Sequence, residues 1–469
     1  LLAYFENTWL TYESLFALIT EDHAFYLRPE PLRHPLIFYY GHTATFFINK
    51  LLLGKYIQNR VDPQLEAICA VGVDEMSWDD LDSNHYDWPD VSHVRQYRKS
   101  VYKLVQVLIK EMPLNLPITQ DSLAWIILMG CEHERIHLET SSVLMRMLPL
   151  DYLRDNCADW PACSEFGAAP ENALITVAAQ QIRLGKQACD ATYGWDNEYG
   201  VYQEDVAQFS ASCFLVSNAE YLSFVQAGGY ENNLYWSEEG KSWLAYSQTK
   251  MPRFWSKING KYYQRNLLAV VPLPMNWPVE VNYLEAHAFC QWKSEQLQTN
   301  IHLPTEAQWY CLRQNVEGDI TDWQEIPANT NLTYYASSCP VNRFSHGEFF
   351  DICGNVWQWT ASPIDGFEGF NVHPMYDDFS TPTFDGKHNL IKGGSWISTG
   401  NEALWSSRYA FRRHFFQHAG FRYVQSDSNV IPVSPVRSYE TDTDICQELA
   451  SHYLIQNNNV IPFAKQLAD

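Results

Sequence analysis

The run Cys131-Glu132-His133-Glu134-Arg135-Ile136-His137-Leu138-Glu139 constrains this chain more than any other stretch. It follows the apolar segment Leu123-Ala124-Trp125-Ile126-Ile127-Leu128-Met129 and precedes Ser141-Ser142-Val143-Leu144-Met145. Between Asp121 and Leu148 only Gly130 interrupts the helical pattern, so the spacing predicts one long helix with Asp121 near its start. On a helix His133 and His137 lie one above the other on the same face, and two imidazoles so placed can hold one metal ion. A single helical His is more often a satisfied core or surface residue. Two at this spacing, beside three glutamates in an apolar helix, favour a metal.

His133-Glu134-Arg135-Ile136-His137 also reads literally as H-E-x-x-H, the zinc hydrolase pattern in which Glu134 would be the general base. That reading needs a third ligand. The metzincin extension would require glycine at position 140 and histidine at 143, where this chain has Thr140 and Val143. A more distant carboxylate such as Glu165 could serve instead.

The rest of the chain decides between these readings. Its 469 residues suffice for two or three domains. A net charge of -23 argues against nucleic acid and anionic membrane as partners, because both need a cationic face. Seventeen Trp suit a loop-rich fold held by large rings. The 11 cysteines include no C-x-x-C pair, which fits a reduced, cytoplasmic setting. No apolar run reaches transmembrane length and no signal peptide is visible. The chain begins Leu1-Leu2 rather than with Met, so its true start is expected upstream.

Residues 1–150 read as four helices: one around Phe5–Phe16, an apolar one over Pro35–Tyr56, one over Val91–Met112, and the His133 helix. Facing helices of such a bundle build metal sites in its core. His42 lies in the second helix, within Tyr39-Tyr40-Gly41-His42-Thr43-Ala44. With His133 and His137 it would complete a three-His site that leaves positions open for water, substrate or oxygen. Imidazole suits zinc, copper, iron and nickel alike. Residues 151–175 resemble a linker. Residues 176–426 alternate short strands with turns around one clear helix, Tyr283–Leu297, giving an α+β chain overall. Residues 427–469 form a polar C-terminal extension.

The second domain carries Pro278-Val279-Glu280-Val281-Asn282-Tyr283, Leu303-Pro304-Thr305-Glu306, Gly354-Asn355-Val356-Trp357-Gln358-Trp359, Gly393-Gly394-Ser395-Trp396 and Ala419-Gly420-Phe421-Arg422. In that order the series resembles the formylglycine-generating-enzyme fold, a variant of the C-type-lectin-like fold. Each motif alone can be packing. A DinB-like helical bundle with a His site joined to such a domain resembles the nonheme iron sulfoxide synthases of thiol-histidine biosynthesis. The ovothiol-branch 5-histidylcysteine sulfoxide synthases are the nearer match, through Glu132–Ser142, Tyr376–Gly386 and Arg408–Arg422 as well as the His42 stretch.

That resemblance implies Fe(II) at His42, His133 and His137, with dioxygen, L-cysteine and L-histidine as small-molecule substrates. The hercynine-using ergothioneine enzymes are the alternative, and the zinc hydrolase a remote one. It also implies a separate methyltransferase and a lyase downstream, since no room for a methyltransferase domain remains before Asp469. Glu132, Glu134 and Glu139 would orient the ligands. Arg95 and Arg98 would clamp the carboxylate of the thiol substrate. Arg413 and His414 would line the imidazole-substrate pocket, and suit free histidine better than a trimethylammonium. Tyr376 would be the active-site Tyr near the iron, a donor of a proton or hydrogen atom. A non-catalytic binding protein on a lectin-like scaffold is a further reading of the same chain.

Overall fold

The computed structural model describes residues 1–70, 87–155, 157–190, 192–316 and 327–426. The expected C-terminal extension, 427–469, lies outside the described residues. Four long helices and one short helix come first: α1 (Leu2–Phe16), α2 (Leu36–Leu53), α3 (Pro63–Cys69), α4 (Val91–Glu111) and α5 (Leu123–Arg146). The His133 helix starts two residues later than expected. Ser122, not Asp121, is its cap, the hydroxyl accepting from the Trp125 N–H.

Nearly every residue of α2 and of the Ala124–Arg146 stretch is buried, which is why neither shows a polar face in sequence. The two helices pack closely because Gly130 lies against the Phe47 ring, where any Cβ would overlap it. Gly41 likewise admits the Cys69 side chain at the end of α3. The first approach brings the His42 helix toward α5, and the second sets the end of α3 beside His42.

The second domain holds α6 (Asn218–Gln226), α7 (Glu238–Ser247), α8 (Tyr283–Leu297) and α9 (Glu306–Arg313). The sequence showed only α8. The other three have 8 to 10 residues, too short for a periodic stripe to stand out. Their caps Ser217, Ser237 and Thr305 were the legible signal. One four-stranded sheet runs Leu174–Val177, Phe209–Ser212, Val424–Gln425, Ile301–His302, antiparallel throughout. A second runs Tyr409–Arg412, His388–Lys392, Trp357–Pro363, Ala419–Gly420, its last pair parallel. The ten cysteines of the described residues are all free.

Apolar packing is continuous between the domains. Trp396 and Ile397 belong to the bundle core, while Phe46, Trp125 and Met129 belong to the core under the second domain. Along α5, Glu132 accepts from the Asn401 N–H, Ser142 meets His418, and Arg146 pairs with Glu280 at 2.5 Å. The helix carrying the two His is thus bonded to the second domain from its middle to its C-terminal end. No helix of the described residues is long and apolar enough to cross a membrane.

Candidate metal centre

His42, His133 and His137 each present a ring nitrogen, and the three atoms lie within 4.8 Å of one another. The Nε2 atoms of His133 and His137 are 3.2 Å apart. Two nitrogens bound to one ion through bonds of about 2.1 Å stand roughly 3.0–3.4 Å apart at angles of 90–109°, so the pair is already at ligand spacing. The Cys69 carbonyl accepts from His42 Nδ1 at 2.7 Å, a bond that leaves Nε2 as the lone-pair nitrogen. Burial, then the neighbouring His137, His42 and Lys50, push the His133 pKa well down, so that imidazole stays neutral and able to ligate. Its Nδ1 is buried without a partner among the described residues. This all-nitrogen, uncharged donor set fits a divalent transition metal.

Aromatic rings wall the triad. Phe46 stacks flat on His133, 3.7 Å between centroids. Phe38 stacks on His42 at 4.8 Å, and Tyr39 packs against His137 at 5.7 Å. Tyr376 comes from the second domain, its ring 6.1 Å from His133 and 5.0 Å from Phe46. The triad and Tyr376 are therefore brought together. Lys50 completes this wall, its Nζ 4.0 Å from the Tyr376 centroid and 5.0 Å from that of Phe46. The sequence reading missed Phe46 and Lys50. Their signal was the i, i+4, i+8 spacing from His42, which puts all three on one face of α2.

The structure does not bring the two arginines expected to form a carboxylate clamp to the triad. Arg98 is fully buried and donates to Glu13 at 2.6 Å, Glu134 at 2.7 Å, Thr43 Oγ1 at 2.8 Å and the Tyr40 carbonyl at 2.9 Å. A guanidinium so occupied is a core strut with no fork to offer a ligand. Arg95 instead pairs with Asp22 at the surface. It lines a cleft of about 400 Å³ with Trp9, Phe16, Tyr40 and Lys99, and none of the three triad residues borders that cleft.

The three glutamates also do something other than orient imidazoles. Glu132 takes the Tyr4 hydroxyl and the Asn401 N–H, and Glu139 takes the Trp357 indole at 2.8 Å and the Ser398 hydroxyl at 2.9 Å. Glu134 faces Arg98 and Thr43, turned about 100° from His133 around the helix. All three are buried. With Arg98 and Thr43 donating to it, Glu134 is engaged as a partner of that guanidinium, which weighs against the general-base role of the H-E-x-x-H hydrolase reading.

Arg413 bonds Asn389, Glu239 and the Gly386 carbonyl at 2.7–2.9 Å and lies over the Tyr283 ring. His414 is buried beside Phe415, and its carbonyl accepts from Asn282. The structure thus groups Arg413 with Tyr283 and Glu239 rather than with the imidazoles.

A DinB superfamily model matches residues 4–141. "Ergothioneine biosynthesis protein 1" of Schizosaccharomyces pombe is 24% identical over 429 residues, covering 84% of this chain and 51% of that protein. "Hercynine oxygenase" of Mycobacterium tuberculosis is 30% identical over 226 residues, 45% of this chain and 51% of its own length. "Formylglycine-generating enzyme" of Bos taurus is 24% identical over 267 residues, 49% and 67% of the two chains. The chain spans about half the length of the first two relatives. Residues 163–427, more than half of the sequence, match the model described as "Sulfatase-modifying factor enzyme 1-like domain", and the chain belongs to that family.

Proposed function

We propose that this chain is an iron(II)-dependent sulfoxide synthase that joins the sulfur of a cysteine-type thiol to a ring carbon of a histidine-type imidazole. The observation that carries this reading is the three-His cluster, two of its members buried, with the Tyr376 ring beside it. In balance, the thiol gives up its S–H hydrogen and the imidazole its C–H hydrogen. One oxygen atom of O₂ ends on sulfur and the other leaves as water.

Iron held by His42, His133 and His137 would supply activation of dioxygen and binding of the thiolate. The chain's own residues then have three tasks. The Cys69 carbonyl and the Phe46 ring fix two of the imidazoles. Phe38, Tyr39 and Phe46 limit access of water to the ring nitrogens. Tyr376, whose ring lies 6.1 Å from that of His133, carries a transferable O–H, a proton or hydrogen-atom donor that a Phe there would lack.

Hercynine is the first-ranked imidazole partner, because relatives matching this chain are named for hercynine oxygenation and ergothioneine biosynthesis. Histidine, the expectation drawn from Arg413 and His414, ranks second, since Arg413 is already paired with Glu239. The product would be consumed by a lyase-class cleavage of the new sulfoxide, with any ring methylation following as a separate step.

The test is anaerobic loading with ferrous iron, then oxygen uptake with each thiol and imidazole pair and NMR of the product. Uptake that requires both substrates and yields a carbon–sulfur bond supports the reading. No uptake with any pair overturns it.

A further inference from the structure

Both proposed substrates are amino acids, and each brings an α-carboxylate toward a site whose metal ligands are neutral. With Arg98 locked in the core and Arg95 on another face, the two expected partners for that charge are gone. Lys50 is where a replacement would have to be. It stands two turns beyond His42 on the same face of α2, separated from His133 by the single ring of Phe46. Its ammonium rests on the faces of Tyr376 and Phe46 and makes no hydrogen bond or ion pair among the described residues.

That is an unusual state for a lysine. A mostly enclosed ammonium ordinarily spends its donors on carbonyls or carboxylates. Ring faces neutralise part of the charge but accept no strong N–H bond. Lys392, a deeply buried lysine of the second domain, shows the ordinary arrangement, with bonds to Glu306, Tyr310 and the Ser407 carbonyl. Burial draws the Lys50 pKa down to about 8, while Asp377 and Asp378 act to raise it. Near pH 7 it is therefore mainly a cation, held against the Tyr376 ring that the second domain brings beside the triad.

We propose that Lys50 receives the α-carboxylate of an amino-acid substrate and so fixes that substrate's reacting end beside the triad and Tyr376. This rests on the sulfoxide synthase reading for the identity of the amino acid, and on the geometry alone for the carboxylate. Stacked beneath the ammonium, Tyr376 would then be set by the same contact that holds the substrate.

The experiment compares each amino acid with its carboxamide. Calorimetric titration of the full chain, loaded anaerobically with iron(II), uses cysteine, histidine and hercynine and the amide of each. Wild type is expected to bind one of the acids tenfold to about a hundredfold more tightly than its amide, the range of one lost bond to a charged group. Lys50→Gln should bind that acid no better than the amide, while Lys50→Arg keeps the preference. The amino acid affected identifies whether the carboxylate comes from the thiol or the imidazole substrate. Metal stoichiometry and melting of Lys50→Gln check its fold. Should that variant fail to fold, the wild-type acid-against-amide comparison and Lys50→Arg still decide.

Equal binding of acid and amide by wild type, or a preference that survives Lys50→Gln, overturns the assignment. Discrimination without oxygen uptake would retain Lys50 and reject the sulfoxide synthase reading. Uptake with unchanged Lys50→Gln affinities would do the reverse.

Discussion

Trp357 of the second domain donates its indole N–H to Glu139, on the helix that carries His133 and His137, at 2.8 Å. Ser398 donates to the same carboxyl oxygen, so the second domain supplies both partners. Burial pushes the Glu139 pKa up from 4.5 to about 7, against the lowering effect of those two donors. The folded protein thus binds this proton more tightly than the unfolded chain does. Its contribution to stability is full below about pH 4.5 and is lost as pH rises to about 7. Glu139→Gln, a neutral copy of the protonated acid, is expected to match wild type at pH 5 and to exceed it at pH 8 by about 1–3 kcal/mol. Denaturant unfolding at the two pH values measures this. Equal differences at both would mean that Glu139 stays ionised in the fold.

Arg98 makes the opposite kind of contribution. Its removal leaves Glu134 and Glu13 without their cation, and Glu134 is wholly buried. Arg98→Ala should cost about 3–5 kcal/mol of stability, as loss of one partner of a buried pair does. Replacing Arg98 with Met and Glu134 with Gln together should recover part of that. Affinity for both amino acids, measured on the folded fraction, should stay within about twofold. A selective loss of cysteine affinity would restore the clamp reading of this residue.

Metal content tests the triad directly. Full-chain protein should retain one divalent ion per chain, and His42→Ala, His133→Ala and His137→Ala should each lose it on dialysis. Cobalt(II) absorption gives a second readout that needs no turnover. Retention by His42→Ala would leave the α5 pair as a two-ligand site and remove α2 from the centre.

The long, apolar, periodic segments were legible: α2, α4 and α5 all stand where their spacing placed them. His133 and His137 were fixed by helix geometry alone, whereas His42 needed the bundle reading as well, because no local rule says which helix faces which. The glutamates were misread for a physical reason. Sequence shows that a residue is charged, but not whether a partner exists across the fold, and Glu132 and Glu139 find theirs more than two hundred residues away. The surroundings of Arg95 and Arg98 were hidden in the same way. Three-residue spacing on α4 is close enough to suggest one face, yet one side chain is fully buried and the other largely exposed.

Tyr376 carries the last prediction. Its ring stands between Phe46 and Trp195, with the Lys50 ammonium over one face, so the ring has packing that would survive loss of the hydroxyl. Tyr376→Phe should therefore fold, hold metal and bind both substrates as wild type does. What it lacks is the transferable O–H. Joining sulfur to the imidazole carbon calls for proton or hydrogen delivery that oxidation of the thiol alone does not. The coupling branch should slow in the variant, and oxidation of cysteine to its sulfinic acid should take a larger share of the oxygen consumed. NMR of the products, read beside total oxygen uptake, separates the two branches. An unchanged product ratio at an unchanged rate would make Tyr376 a packing residue and place the proton donor elsewhere on the wall.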